Sequence, residues 1–381
     1  MSEDHERVGV RSVSDDSRAS AAPRVVLVTG ASRFLGGYLT ARLAQNPSVE
    51  RVIAVDAVAP TKDMIRRMGR AEFVRADIRN PLIGKVIRSS EVDTVVHASL
   101  ISRPPGGGGR TVMKDLNVLG AMQLFAVCQK SPSVRRVVLR SSTAVYGCSA
   151  KDPAQFTEEM GSKSRLRGGF ARDAVETEGY ARGLGRRRPD VDVTILRNAP
   201  MIGPRLNGAV SRYLTSPLTP SVLGRDARMQ LLHEEDALAA LERATVAGPA
   251  GTFNVAADGI VMLSQAIRRA GRIEVPVPPA LFRTTGKAVM GSLMRGFSEE
   301  QLDYFNFGCG VDTTRMKTVL GFTPRWTTMQ AFDDFVRGVA LTPVVRREWI
   351  DAAEARLLAL LGADAARAAR PAPMRSVAAG R

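Results

Sequence analysis

The chain has 381 residues, of which 44% are hydrophobic, and it carries a formal net charge of +16 with a sequence pI of about 10.6. This length suffices for one large α/β core with an attached lobe, or for two modest domains. Because the sequence lacks an apolar run of about 18 residues and a signal-peptide pattern, we expect a cytoplasmic protein. The odd number of cysteines, without CxxC spacing, predicts neither a disulfide framework nor a metal site.

The positive charge indicates anionic partners, but its distribution along the chain does not distinguish nucleic acid from an anionic membrane surface or a phosphate-bearing ligand. Arginines are spread along the chain, and two clusters stand out, at 165–172 and 186–188. No aromatic residues alternate with these arginines as single-strand binding would favour, so we expect solvated faces or ligand-phosphate contacts and not a nucleic-acid groove.

The order of apolar segments predicts a doubly wound parallel Rossmann sheet, because strand patterns alternate with helix-length segments. We expect a disordered tail over 1–23, a dinucleotide-binding domain over 24–200, a smaller substrate lobe over 201–340 that is partly interleaved with it, and an amphipathic helix with a basic tail over 341–381. That helix is expected to pack on the body or on a protein partner in preference to a membrane. The predicted strands are Val25–Thr29, Val52–Asp56, Phe73–Arg75, Thr94–Ala98, Val137–Ser141 and Val193–Arg197.

The first strand leads into a glycine turn and a helix, the arrangement that binds phosphate at a helix N-terminus. Gly30 and Gly36 stand where the first and last glycines of a dinucleotide turn belong. The middle glycine is missing: Arg33 or Phe34 fills its place, depending on the register.

These features, with a series of further motifs, resemble the extended short-chain dehydrogenase/reductase family, in its NAD-dependent epimerase/dehydratase branch. The resemblance runs from about residue 24 to 339 and implies a nicotinamide cofactor and a nucleotide-sugar ligand. Its motifs are, in order, Asp56, RADIRNP, VVHAS, LNVLGAMQL with Asn117, SSTAVYG, TILR, IGPR, HEEDAL, GTFNV and DTTRMKTVLGFTP.

We expect NAD as the cofactor in preference to NADP. The carboxylate of Asp56 can accept hydrogen bonds from the ribose hydroxyls and would repel a 2′-phosphate. Arg33 argues for NADP, since an arginine there can pair with a 2′-phosphate, although it can also meet the pyrophosphate. The residues predicted to contact the cofactor are Gly30, Arg33, Phe34, Leu35, Gly36, Asp56, Asp77, Ile78, His97, Ala98 and Ser99.

The catalytic pair that the resemblance implies is replaced. The family uses a tyrosine with a lysine four residues later, in which the lysine lowers the tyrosine pKa so that a phenolate acts as general base. Here Phe170 and Ala174 occupy those positions, and none of the five tyrosines is followed by lysine four residues later. Ser142 matches the family's catalytic Ser/Thr, but its hydroxyl alone supplies only a hydrogen bond.

The substrate side also departs from the family pattern, since Pro200 stands where an asparagine is expected and Arg228 is displaced by one position from a diphosphate-binding arginine. The predicted substrate residues are Arg197, Arg205 and Arg228. Two hypotheses remain open. The first is a cofactor-binding sensor or scaffold with little catalysis and an unidentified protein partner, and the second is an active epimerase, dehydratase or reductase that uses a non-standard base with Ser142. The resemblance also implies a homodimer formed by the helices at 110–130 and 170–187.

Overall fold

A computed structural model describes residues 22–103, 109–162, 166, 169–279 and 297–344. The predicted N-terminal tail and the predicted helix over Val345–Leu361 lie outside the described residues, apart from Ala22 and Pro23 of the tail. Within the described ranges, no helix is long and apolar enough to cross a membrane.

The central sheet has seven parallel strands in the order β11-β6-β5-β4-β1-β2-β3. The six strands predicted from the sequence are confirmed within one residue at each end, and the seventh, β11, is contributed by the segment assigned to the lobe. Their bounds are β1 Val25–Thr29, β2 Arg51–Asp56, β3 Glu72–Arg75, β4 Thr94–His97, β5 Arg136–Ser142, β6 Asp192–Asn198 and β11 Gly251–Val255.

Helices cover both faces of this sheet and build the lobe. A single π-helical turn over Asp115–Leu119 joins α4 to α5, and a 3₁₀ turn over Thr143–Tyr146 follows β5. The helices are α1 Phe34–Gln45, α2 Lys62–Met68, α3 Leu82–Ser89, α4 Arg110–Lys114, α5 Gly120–Lys130, α6 Gly169–Arg187, α7 Ala209–Thr215, α8 Glu234–Ala247, α9 Leu263–Arg269, α10 Glu299–Phe307, α11 Thr314–Thr318 and α12 Thr328–Gly338.

The lobe is formed by short strands that pair in three small sheets. In two of these sheets β10 pairs with β7 and β13 pairs with β8, and in the third β9 lies between β12 and β14. The bounds are β7 Met201–Ile202, β8 Leu218–Val222, β9 Arg228–Met229, β10 Leu232–His233, β12 Val261–Met262, β13 Ile273–Val277 and β14 Gly308–Cys309. A bridge between Phe156 and Val311 ties the region after β5 to the lobe, and α8 packs on α1 and β5.

The core explains why the apolar runs form a sheet. Residues of β1, β4 and β5 are almost entirely inaccessible, as expected of parallel strands covered on both faces. The strand order reverses between β1 and β4, because β2 and β3 lie on one side of this point and β5, β6 and β11 on the other. Ligands of such sheets bind at the carboxyl ends of the strands beside this point, so the site is sought there.

Candidate functional site

The glycine turn between β1 and α1 needs glycine at two positions. Gly30 has φ +76°, and a Cβ there would lie 2.8 Å from Cβ of Ser99 at the end of β4. A Cβ on Gly36 would lie 2.2 Å from the carbonyl oxygen of Gly30, so α1 packs directly on the turn. Both predicted glycines are therefore required by the close approach of two backbones.

The residue in place of the middle glycine does not distort the turn. Arg33 is the N-cap of α1 with φ −99° and ψ 163°, an extended conformation that any residue adopts, and its side chain makes no capping hydrogen bond. The first-turn amides of this 12-residue helix are consequently not covered by a cap side chain. Phe34 is half-buried, and the centre of its ring lies 4.7 Å from the centre of the Tyr38 ring. Leu35 is buried in the core.

Acidic side chains stand at the end of β2 and shortly after β3. Asp56 Oδ2 accepts hydrogen bonds from the Ser32 amide at 3.1 Å and from the Ser32 hydroxyl at 2.5 Å. The carboxylate of Asp77 is held by the Arg79 guanidinium, with Nη2 to Oδ2 at 2.6 Å, and this hydrogen bond lowers the Asp77 pKa. The neighbouring Ile78 is buried. Asp56 thus lies against the turn through Ser32, and Asp77 is paired with Arg79.

The segment after β4 contributes packing and one neutral ring. His97 is fully buried, and its Nδ1 lies 2.9 Å from Oγ1 of Thr29. Burial, followed by the charge of Arg140, lowers the His97 pKa to about 4, so the ring is neutral near pH 7 and does not act as an acid there. Ala98 is buried, and Ser99 supports the turn at Gly30.

A cavity of about 630 Å³ opens beyond the carboxyl ends of β5 and β6. Its walls combine the end of β5, the start of α6 and residues of α10 and the loop after β8. A cavity of this size is typical of small-molecule sites. The polar side chains on its wall include Arg140, Ser142, Asn198, Arg225, Glu300 and Tyr304.

Neither position that the resemblance assigns to the catalytic pair brings an ionisable group to this cavity. Phe170 is 7% exposed and lines the cavity, and its amide donates to Oε1 of Glu300 at 3.3 Å. Ala174 is fully buried in the apolar core and is not among the described residues of the cavity wall. Ser142 reaches the cavity, where its Oγ accepts the amide of Ala144 at 3.2 Å.

The tyrosines near the cavity are poor proton acceptors because both are buried. Tyr146 donates its hydroxyl to Oδ1 of Asn254 at 2.7 Å, and burial raises its pKa to about 12. Tyr304 lies on the cavity wall, its hydroxyl donates to the carbonyl of Gln230 at 3.3 Å, and burial raises its pKa well above the ordinary value. Both phenols therefore stay protonated near neutral pH.

The three predicted substrate arginines lie away from the cavity wall. The guanidinium of Arg197 is buried and paired with Glu178, with Nη2 to Oε2 at 2.8 Å. Arg205 forms an ion pair with Glu234, with Nε to Oε1 at 2.6 Å, and its guanidinium lies over the ring of Tyr38. Arg228 is exposed on β9. Their role toward a substrate stays a prediction.

Two other arginines, which the sequence motifs do not single out, line the cavity. Arg225 lines the cavity from the lobe, donates to Oδ1 of Asn306 at 2.9 Å and lies 4.9 Å from the ring centre of Phe307. Arg140 lines it from β5, two residues before Ser142. The period of two along a strand is a signal that could have found Arg140, since residues 140 and 142 share a face. No sequence pattern indicates that Arg225, and not Arg228, lines the cavity.

Comparison with known proteins identifies the family. Residues 26–256 match the NAD dependent epimerase/dehydratase family. The chain belongs to this family. It is 59% identical over 365 residues to an uncharacterised protein of Mycobacterium tuberculosis strain H37Rv, covering 94% of this chain and 96% of that protein. A putative UDP-glucose 4-epimerase of Methanocaldococcus jannaschii is 30% identical over 124 residues, which cover 32% of this chain and 40% of that protein.

Solved structures of epimerases share the fold. The UDP-glucuronic acid 4-epimerase of Bacillus cereus, in complex with UDP-glucuronic acid and NAD, aligns with a TM-score of 0.64 at 15% identity over 83% of this chain and 99% of its own. The UDP-glucose 4-epimerase of Thermotoga maritima, with UDP-glucose, aligns with a TM-score of 0.62 at 18% identity over 83% of this chain and 98% of its own. These comparisons confirm the predicted family and the Rossmann fold class.

Proposed function

We propose that this family member binds NAD along the glycine turn and a nucleotide-sugar ligand in the cavity, and that it carries little or no standard hydride-transfer catalysis. The observation that carries the proposal is the replaced pair: Phe170 lines the cavity without a proton to exchange, and Ala174 is fully buried in the core. Losing a general base typically costs about 10²- to 10⁴-fold in rate.

The residues around the turn fit a dinucleotide. The first-turn amides of α1 have no side-chain cap, and the missing Cβ atoms of Gly30 and Gly36 let the backbone of α1 and the end of β4 close on the turn. Asp56 lies beside it, where its charge favours NAD over NADP. Bound NAD would supply a hydride acceptor. Ser142 would orient a ligand oxygen, and Phe170 would exclude water without moving a proton.

The cavity supports a ligand that carries both hydroxyls and phosphate. Oδ1 of Asn198 and Oε2 of Glu300 are buried without a hydrogen-bond partner among the described residues, and both residues line the cavity. These oxygens accept hydrogen bonds, as sugar hydroxyls would donate them, while Arg225 presents a positive charge. This combination favours a nucleotide sugar over a purely apolar ligand.

A second candidate, an active enzyme with a non-standard base, is favoured by Glu300. Its carboxylate lies at the start of α6 beside Phe170 and has one oxygen without a partner. A carboxylate with a buried, unpartnered oxygen can accept a proton.

The test is binding and turnover measured on the same preparation. We expect calorimetry to show NAD binding tighter than NADP binding, with no change in nicotinamide absorbance or sugar composition for UDP-, GDP- and dTDP-sugars. The absence of NAD binding would refute the proposal. Turnover that is lost in Glu300→Gln and kept in Glu299→Gln, the exposed neighbour, would establish the second candidate instead.

The helices that the resemblance assigns to dimerisation carry several partly exposed apolar side chains. Val112, Leu119, Met122 and Val175 lie between the start of α4 and the middle of α6 and are each 37–41% exposed. We propose that these helices join two copies of the chain, because exposed apolar groups on packed neighbouring helices are typical of an interface.

A further inference from the structure

We propose that Arg140 is an anion-binding residue that contacts the diphosphate of a ligand held between the glycine turn and the cavity. This inference deepens the proposed function and rests on it. It assigns a ligand contact to a side chain of β5 for which the sequence motifs give no role.

The position of Arg140 is fixed by two neighbouring strands. It lies near the carboxyl end of β5, and its Nη1 donates to the carbonyl of Leu100, just after β4, at 2.7 Å. Since β4 pairs with β1, this places the guanidinium beside the point where the strand order reverses. Arg140 also lines the cavity together with Ser142 and Phe170. It therefore stands between the cofactor turn and the candidate substrate site.

The guanidinium is incompletely paired. Its Nε is buried without a hydrogen-bond partner, and none of the described carboxylates forms an ion pair with it. Arg197, another arginine near the carboxyl end of a strand, is instead neutralised by Glu178. Because a guanidinium has five donors and a buried charge is costly without a partner, Arg140 has donors to offer to an anion.

A second positive charge approaches from the turn. Burial, followed by the charge of Arg33, lowers the pKa of Arg140 to about 10, so Arg140 remains charged near pH 7. Arg33 is exposed at the N-terminus of α1, where the uncapped amides also favour an anion. Two arginines and a helix N-terminus at this edge of the sheet suit a group with more than one negative charge, such as a diphosphate.

Two ligands could supply that diphosphate, a dinucleotide and a nucleotide sugar, and calorimetry with four probes separates them. NAD and ADP carry the adenosine diphosphate, adenosine carries none, and UDP-glucose carries the other diphosphate. We expect Arg140→Met to weaken the binding of one diphosphate source by about 10- to 100-fold and to leave adenosine binding unchanged. Arg140→Lys keeps the charge but not the planar fork, so its loss should be smaller. Arg66→Met, an exposed arginine paired with Asp63, is the matched control.

The outcomes distinguish this inference from the proposed function. Weaker NAD and ADP binding assigns the contact to the dinucleotide, and weaker UDP-glucose binding alone assigns it to the sugar nucleotide. Equal loss for adenosine, or affinities within twofold of wild type for every probe, would overturn the role of Arg140 while leaving the proposed function standing. If Arg140→Met does not fold, the same comparison is made with Arg140→Lys. If the wild-type protein binds none of the probes, both proposals are refuted.

Discussion

Replacing Arg197 with methionine should destabilise the fold strongly and leave ligand affinity unchanged. Its guanidinium bonds Glu178 through Nε and Nη2 at 2.8–3.3 Å, and it also donates to Tyr146 and to the carbonyl of Glu158. Glu178 is 1% exposed, so the variant leaves a buried carboxylate without its main partner. Breaking a buried pair of this kind costs about 3–5 kcal/mol.

That cost can be measured by urea denaturation and by thermal unfolding. With about 2.1 cal/mol/K of unfolding entropy per residue, a folded unit of roughly 300 residues should lose about 5–8 °C in Tm. Glu178→Gln alone and the double variant complete a cycle, in which we expect a coupling of at least about 1 kcal/mol. A loss below about 1 kcal/mol, with additive single effects, would refute the buried-pair reasoning. A change in ligand affinity would instead support the predicted role of Arg197 as a substrate-binding residue.

The same pair predicts the direction of a pH effect. Burial tends to raise the Glu178 pKa, but the hydrogen bond and charge of Arg197 outweigh it, so the folded-state pKa is lowered. A lowered pKa contributes stability that is present above the unfolded value of about 4.3 and is lost as the pH falls through the folded value. In Arg197→Met, burial dominates and this contribution should reverse its sign, so the difference in stability between wild type and variant should shrink as the pH falls towards 4.

Three further predictions concern the turn, the helix face and the replaced pair. Gly36→Ala should lower both Tm and NAD affinity, because its Cβ would meet the Gly30 carbonyl at 2.2 Å, whereas Gly69→Ala, which meets nothing within 4 Å but also has φ +56°, should lower Tm alone. Met122→Glu should shift the elution of a dimer to that of a monomer without changing Tm at low concentration, and a mass that is unchanged in light scattering would contradict the interface. Phe170→Tyr combined with Ala174→Lys should produce NAD-dependent turnover, measured by nicotinamide absorbance, where wild type has none.

The fold could be predicted from the sequence because its signal is local. Each of the first six strands is an apolar run bounded by helix-length segments, and parallel strands buried on both faces have this pattern. The seventh strand, Gly251–Val255, carries the GTFNV motif, but its place in the sheet cannot be predicted, since β-strand pairing between distant segments leaves no local mark. Arg33 was identified as the residue replacing a glycine, and its extended φ then showed why the turn tolerates it.

The motifs indicate the positions of two residues of the cavity wall, Ser142 at the end of β5 and Phe170 at the start of α6. Ser142 and Phe170 line the cavity as placed by motif, but the predicted substrate arginines Arg197 and Arg228 do not. Arginines have long side chains, and a displacement of a few residues on short strands changes which of them faces the cavity. Arg225 rather than Arg228 reaches it, and spacing alone does not resolve that choice.

The two replaced positions differ in what it would cost to restore them. Phe170 already lines the cavity, so Phe170→Tyr adds a hydroxyl at an accessible wall. Ala174 is fully buried against the apolar core. A lysine at this position would hold its ammonium group away from water, and only a bound ligand could supply a hydrogen-bond partner for it. Ala174→Lys should therefore destabilise the ligand-free protein more than Phe170→Tyr, and NAD should recover part of the loss. Equal Tm values for the two single variants would contradict this reasoning. If the prediction holds, the packing of α6 destabilises the ligand-free protein when a lysine stands at position 174, which favours the proposed binding protein over the enzyme.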